Sequence, residues 1–393
     1  MSTAASRLSA GARAVPGSGI REIAHLVAGR DDVLHLEYGE PDFAAPPHVV
    51  EAGMALARSG ARYTATAGRA DLREALAGKL RAVNGLRYRP EDVVVVPGAA
   101  QGLAAVFAAF VEPGDQVLVP DPGWPNFAML ATLYGAQPVG YPLRATAGFR
   151  PDLEGVRRLL TPKTRLLVLN SPSNPTGVVL PQADVAALVE LAAANGTVVV
   201  ADEVYDELVF TGRSVPAASY DPDWVVGAYS FSKTYAMTGW RIGYLAATGR
   251  VGQTLARIQE PLISCVSAVS QAAAMAAVTG PQECVGVMRD AYRLRRDMAV
   301  DLLRVGGLTV TEPAGAFYLM LPLPAGTDAR AAALALVDRG VAVIPGTAFG
   351  TVATEALRIS LAVDMDTLRE AIRRILDWLA ANSADGFGRE RAG

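Results

Sequence analysis

Six near-continuous apolar runs recur between residues 93 and 247, and they limit what this chain can fold into. They read "VVVV" (93–96), "QVLV" (116–119), "RLLVL" (165–169), "TVVVA" (197–201), "WVVGAYS" (224–230) and "IGYLAA" (242–247). Runs without polar alternation suit strands covered on both faces. Helix-like stretches lie between most of them, such as "AAQGLAAVFAAFV" and "PQADVAALVELAAANG", the latter opened by Pro and closed by Gly. This alternation predicts a mainly parallel α/β sheet. After residue 280 the pattern changes. An Arg-rich helix is expected over about 281–305, strands at 315–321 ("GAFYLML") and 356–362 ("ALRISLA"), and a terminal helix over about 364–382. The expected organisation is an N-terminal segment (1–47) that completes a small domain, a large domain (48–285), the small α+β domain itself (286–383) and a frayed tail (384–393).

Composition narrows the function classes. Among 393 residues the net charge is −3 and no block of like charges occurs, which argues against a nucleic-acid surface. The three histidines (His25, His35, His48) all lie near the N-terminus, so a His-based metal site or a Ser-His-Asp triad is poorly supplied and no metal is expected. Cys265 and Cys284 sit in apolar text without metal spacing and read as buried thiols of a reducing compartment. The opening "MSTAASRLSAGARAVPGSG" lacks an apolar core and reads as a flexible lead-in rather than a signal peptide. The alanine-rich "CVSAVSQAAAMAAVTG" is broken by Ser and Gln and reads as a buried helix, not a membrane span. A soluble, cytoplasmic protein is expected.

In open α/β sheets, ligands collect at the carboxyl ends of the strands. There this sequence places "PGAAQG" after the first run, "NSPSNPTG" after "RLLVL", "DEVYDEL" after "TVVVA" and "SFSK" after "WVVGAY", with Arg241 eight residues beyond the lysine. The lysine is notable because the chain has only three, Lys79, Lys163 and Lys233, among its 36 basic residues. Five loops thus deliver a helix start, an amide, a carboxylate with a tyrosine, an amine with hydroxyls, and a guanidinium. Each has a use if the ligand is an aromatic aldehyde phosphate. A lysine can shed its proton in a low-dielectric site and form an imine, which arginine cannot do. A carboxylate keeps a pyridine nitrogen protonated, so the ring accepts electrons. An amide and a phenol can hydrogen-bond the ring oxygen. Backbone N–H groups at a helix start, serines and an arginine can hold a phosphate.

Taken together with "EYGEPDF" and "RISLA", these strings closely resemble the class I/II aminotransferases, fold-type I pyridoxal-phosphate enzymes related to aspartate aminotransferase. The resemblance runs from about residue 18 to 382 in the family's order. It implies that Lys233 forms the imine with pyridoxal 5′-phosphate and moves the substrate's proton. It assigns Asp202 to the pyridine nitrogen, and Asn174 and Tyr205 to the ring oxygen. The backbone of Ala99 and Ala100, with Ser230, Ser232 and Arg241, would hold the phosphate, and Trp124 would stack on the ring. Tyr63 would reach the phosphate of a partner subunit in a homodimer with shared sites. Arg358 would clamp the substrate carboxylate, with Gly39, Asn174 and Trp124 lining that pocket. The implied substrates are an α-amino acid and a 2-oxo acid.

One departure bears on substrate. Where several relatives carry a lysine that can hold a distal carboxylate, this chain has Ala100 in "GAAQ", which weakens an aspartate assignment. Elimination, cyclisation, decarboxylation or oxidation on the same cofactor are alternatives that the residues around the cofactor barely distinguish. A non-catalytic effector domain of a transcription regulator is a remoter one, since fewer than forty residues precede "EYGEPDF". Individually, Asp202 and Asn174 could be turn formers, Trp124 core filler, and Arg241 or Arg358 surface charges. Lys79 and Lys163 are read as surface lysines and "YDEL" as a solvated helix face.

Overall fold

The computed structural model describes residues 4–383. Among these residues twelve strands occur: β1 (Leu34–His35), β2 (Val93–Val96), β3 (Gln116–Asp121), β4 (Gln137–Pro142), β5 (Thr164–Asn170), β6 (Val198–Asp202), β7 (Val225–Ser230), β8 (Gly243–Ala246), β9 (Tyr318–Pro322), β10 (Val341–Ala342), β11 (Ile344–Pro345) and β12 (Ala356–Ser360). Seven form one sheet in the order β2-β8-β7-β6-β5-β3-β4. Strands β3 to β7 run parallel, while β8 pairs antiparallel with both β2 and β7.

All six apolar runs become strands of this sheet, and their lack of polar alternation has a simple cause. Val94, Val96, Val117, Val119, Leu166, Val168, Val200 and Val226 face one core, with Leu103, Val106 and Phe107 of helix Ala99–Phe110. Their strand neighbours Val93, Val95, Leu118, Leu167, Leu169, Val199, Ala201 and Val225 face another. Period-2 geometry sends successive side chains to opposite faces, and here both faces are dry. Strand β4 was not foreseen. Its sequence "QPVGYP" carries two prolines and a glycine, tolerable only because β4 is the last strand of the sheet.

A second assembly pairs β9, β11 and β12 antiparallel, with β1 beside β10 in a parallel pair. Its core joins Ile23, Val27, Val33 and Leu36 to Val300 and Leu303 of helix Glu283–Val305 and to Ile372 and Ile375 of helix Met365–Ser383.

Several expectations are corrected. The lead-in contains a helix, Ala10–Ala14, capped by Ser9 and packed against helix Asn126–Leu133. Both cysteines are free and only partly buried. The alanine-rich stretch does form a helix, Ala268–Thr279, with Ala273, Ala274 and Ala277 buried. The tail from 384 lies outside the described residues. Among the described residues no helix is long and apolar enough to cross a membrane. "YDEL" is not a solvated helix face: Tyr205 and Leu208 are buried in a turn, and Glu207 accepts a 2.5 Å hydrogen bond from Lys79. Lys79 is therefore no surface lysine. Its side chain is 9% exposed, and the carboxylates of Asp206 and Glu207 hold its pKa above the ordinary lysine value against the opposing pull of burial. Lys163 is exposed, as expected.

Removing the Lys79 ammonium strands two carboxylates in a largely dry turn. Lys79→Ala should lower unfolding stability by about 3 kcal/mol in urea titration, whereas Lys163→Ala should stay within about 0.5 kcal/mol. Equal effects would mean that the Lys79 ion pair is solvated.

Candidate active site

Strands β5, β6 and β7 end side by side, and their register sets the floor of the site. Asn170 pairs with Asp202, and Asp202 with Ala228. The Asn170 side chain locks two neighbours: its Nδ2 donates to the Asp202 carbonyl at 3.1 Å, and its Oδ1 accepts from the Asn174 amide at 2.8 Å. Asp202 is 3% exposed, and its Oδ1 has no hydrogen-bond partner. Burial pushes its pKa up to about 7, while the Val204 amide and the Lys233 charge pull the other way. A buried carboxylate with an unspent lone pair is costly unless a donor arrives. Strand alternation turns the next residue, Glu203, away to a separate cavity of about 270 Å³ behind β6.

Arg358 enters from β12, the central strand of the second sheet. It is 1% exposed. Its Nη2 donates to the Glu37 carbonyl and its Nη1 to Asn174 Oδ1 at 3.3 Å, while Nε has no partner. The guanidinium lies 4.6 Å from the Tyr318 ring centroid and 5.1 Å from that of Phe349. Aromatic faces can hold a cation that has lost its water. Burial draws the Arg358 pKa down, yet a guanidinium stays charged.

Lys233 stands in the short helix Phe231–Thr234 that follows β7, with Ser230 as N-cap accepting from the Ser232 amide at 3.1 Å. Its Nζ donates to the Gly39 carbonyl at 2.5 Å and lies 5.8 Å from the Phe317 ring centroid. Burial lowers its pKa to about 8; Arg241 and Arg358 push the same way, and Glu40 and Asp202 oppose. Near neutrality this amine has an accessible free-base form that an ordinary lysine lacks.

Gly98 and Arg241 form the far end. Gly98 has φ +81°, and a Cβ there would lie 2.6 Å from Arg241 Nη2, so only glycine lets the guanidinium lie against the start of helix Ala99–Phe110. Ala99 and Ala100 are the first residues of that helix, where backbone N–H groups are unspent. Arg241 is itself in the left-handed region, φ +51°, braced by a 2.8 Å bond from Nη1 to the Thr238 carbonyl.

These contacts, with Tyr318 as a link, join Gly39, Asn174, Tyr205, Lys233 and Arg358 in one cleft, with Asp202 beneath. Tyr205 meets Tyr318, hydroxyl to hydroxyl, at 2.9 Å. Trp124 is half-buried and packs edge-on against Phe127, with centroids 5.4 Å apart. Tyr63 is not brought in: it is 94% exposed in the single chain. Sequence reasoning missed Asn170, Glu37, Glu40, Phe317, Tyr318 and Phe349. Asn170, Glu37 and Glu40 lay in the motifs "NSPSNPTG" and "EYGEPDF", and Phe317 and Tyr318 in the strand run "GAFYLML", but only contacts made over long separations give them a place in the site; nothing local marks Phe349. The groups present fit an aromatic aldehyde phosphate in three respects. Asp202 Oδ1 awaits a donor, the Lys233 amine sheds its proton readily, and the Gly98 cradle is a space that any Cβ would fill.

Comparison with known proteins finds relatives over most of the chain. Residues 31–375 match the family model "Aminotransferase class I and II". A probable aspartate/prephenate aminotransferase of Thermus aquaticus is 38% identical over 348 residues, covering 87% of this chain and 90% of that protein. A probable N-acetyl-LL-diaminopimelate aminotransferase of Bacillus subtilis is 35% identical, covering 93% of both. The structure of Thermus thermophilus aspartate aminotransferase with maleate superposes with a TM-score of 0.89 at 36% identity, covering 94% of this chain and 99% of that one.

The lowered Lys233 pKa has a direct consequence. In the cofactor-free protein, capture of a small aldehyde at Lys233, trapped with borohydride and read by peptide mapping, should rise with pH to a midpoint near 8. A midpoint near the ordinary lysine value of 10.5 would show that the amine is solvated.

Proposed function

The chain belongs to the aminotransferase class I and II family, and on that premise we propose that it moves an amino group between an α-amino acid and a 2-oxo acid on pyridoxal 5′-phosphate held by Lys233. The observation that carries this reading is the pairing of an easily deprotonated buried amine, Lys233, with an unpartnered buried carboxylate, Asp202, in one cleft. Bound there, the cofactor supplies an aldehyde that takes the amine and a protonated ring that draws electrons from the substrate's α-carbon.

The chain's own residues divide the remaining work. Asp202 Oδ1 holds a proton on the ring nitrogen, and the buried carboxylate regains at that contact the hydrogen bond it lacks. Asn174 and Tyr205 bind the ring oxygen, and Trp124 covers the ring. Ser230, Ser232, Arg241 and the amides of Ala99 and Ala100 bind the phosphate. Arg358 binds the substrate carboxylate; the Glu37 carbonyl and Asn174 Oδ1 aim its planar fork, and Tyr318 and Phe349 keep water from it. Gly39 lines the same pocket and, through its carbonyl, orients the Lys233 amine. Lys233 Nζ, as free base, moves the proton at the substrate's α-carbon. Without a cation at Ala100, the side-chain end of the pocket favours substrates that need no distal carboxylate clamp there.

The reading extends to organisation. A larger body over 48–285 holds the cofactor, and a smaller one, 286–383 with 1–47, brings Arg358; the apolar cluster joining Ile23 and Leu36 to Ile372 supports this division. The partner subunit's Tyr63 completes the phosphate site of a homodimer. A tyrosine 94% exposed, in a chain that also exposes Val50, Met54 and Leu262, favours that assembly. The two free cysteines suit the cytoplasm.

Three variants test these roles. Lys233→Ala should keep cofactor affinity through the phosphate and ring contacts but lower kcat by about 10⁴ or more. Borohydride labelling of Lys79 or Lys163 in the wild type would contradict the assignment. Arg358→Ala should reduce kcat/KM for α-amino acids roughly a hundredfold or more, and hardly change it for amines without a carboxylate. Equal losses would make Arg358 structural. Tyr63→Phe should weaken cofactor binding about tenfold, by equilibrium dialysis, with the melting temperature of the cofactor-free protein unchanged. Unchanged affinity would remove Tyr63 from any site.

A further inference from the structure

Tyr318, on β9, touches three of the residues expected from the sequence, Tyr205, Arg358 and Gly39. Its hydroxyl is 2.9 Å from that of Tyr205. Its ring lies under the Arg358 guanidinium at 4.6 Å. Its oxygen also abuts Gly39, where a Cβ would fall 2.6 Å from Tyr318 Oη. Both tyrosines are buried, at 3% and 1% exposure.

We propose that Tyr318 is a positioning residue whose hydroxyl donates to the Tyr205 oxygen, turning the Tyr205 O–H into the cleft, while its ring supports the Arg358 guanidinium. This rests on the reading that Tyr205 serves the cofactor's ring oxygen. The direction of the hydrogen bond follows from that reading, because each phenol has only one proton to give. One O–H must donate to the other, and the second O–H is left to find an acceptor elsewhere. If Tyr205 donated to Tyr318, its single proton would be spent and none would be left for the ring oxygen. If Tyr318 donates, the spare proton belongs to Tyr205, which borders the cleft. An unmade buried hydrogen bond is expensive, so the second arrangement prevails. Arg358 reinforces it. A cation against the Tyr318 ring draws electron density from the phenol and makes its O–H the stronger donor. The charges around the two phenols are Asp202, Arg358 and Glu40, and of these only Arg358 favours the ionised form of either.

A phenol that accepts one hydrogen bond donates a better one, so deleting the Tyr318 hydroxyl weakens what Tyr205 gives the ring oxygen. Weaker stabilisation of that oxygen raises the pH midpoint of the bound cofactor's visible absorbance. The test is a pH titration of that absorbance in reconstituted holoenzyme for wild type, Tyr205→Phe, Tyr318→Phe and the double variant. Tyr205→Phe should raise the midpoint by about one unit, Tyr318→Phe by roughly a third of that, and the double variant no further than Tyr205→Phe alone. The two functions of Tyr318 should separate. KM for an α-amino acid should stay near wild type in Tyr318→Phe, which keeps the ring, and rise about tenfold in Tyr318→Leu, which does not. A wild-type midpoint in Tyr318→Phe, with Tyr205→Phe shifted, would overturn the proposal. So would a double variant shifted beyond Tyr205→Phe, because Tyr318 would then act without Tyr205. A Tyr205→Phe midpoint equal to wild type would instead remove Tyr205 from the ring oxygen and with it the site reading itself. The Tyr318→Phe result stands even where Tyr318→Leu does not fold.

Discussion

Removal of an amine, a carboxylate and a guanidinium from water within one cleft is the constraint on which the rest of this structure depends. Lys233, Asp202 and Arg358 each bear a shift in the direction that burial imposes, so each is held where its charged form is less comfortable than in solvent. Left to itself, such a site would collapse or flood. Two sheets prevent this. The Asp202 backbone is fixed by the β5–β6 ladder and by the Asn170 side-chain amide on the Asp202 carbonyl, which holds the carboxylate at the buried end of the strand. Arg358 sits mid-strand in β12, opposite Met320 on β9 and Ile344 on β11, so its backbone is paired on both sides.

The segment before the first large helix ties the two together. Between Glu37 and Gly39 the chain offers two carbonyls, one to Arg358 and one to Lys233. A carbonyl dipole is a weak counter-charge. It satisfies a donor without neutralising it, and it can be exchanged for a ligand's oxygen at small cost. Had these two cations met carboxylates instead, each would be locked in an ion pair that a substrate would have to break. The orphaned atoms, Asp202 Oδ1 and Arg358 Nε, carry the same logic further, because each keeps hydrogen-bonding capacity that no described residue takes up.

How much of this was legible in the sequence depended on how local each signal was. The six central strands were readable because burial on both faces leaves an unbroken apolar run. Asp202 stood out because it directly follows such a run, and Lys233 and Asn174 because they lie in the loops just beyond one. Strand β4 was hidden by its prolines, and the N-terminal helix Ala10–Ala14 by small residues with no apolar period. Tyr318 and Phe349 went unmarked, since no local pattern announces that the Arg358 guanidinium will lie against both their rings. The role of Lys79 was misread for a related reason. Its partner Glu207 is 128 residues away, and no local pattern links them.

Lys79 and Lys233 together show why burial alone does not make a reactive amine. Burial is the largest influence on both, and on both it acts to release the proton. At Lys79 the carboxylates of Asp206 and Glu207 outweigh it, and the amine is held as a cation above its ordinary pKa. At Lys233 Glu40 and Asp202 pull the same way, but Arg241 and Arg358 cancel much of their effect and the shift stays downward. The arginines that suit a phosphate and a carboxylate thus have a second consequence before either ligand is present: they keep the neighbouring amine from being trapped as an ion pair. A chain that writes nearly all its positive charge as arginine can surround one lysine with permanent cations that never compete for its chemistry, because a guanidinium neither gives up its proton nor forms an imine. The scarcity of lysine and the reactivity of Lys233 are in that sense one property of the cleft.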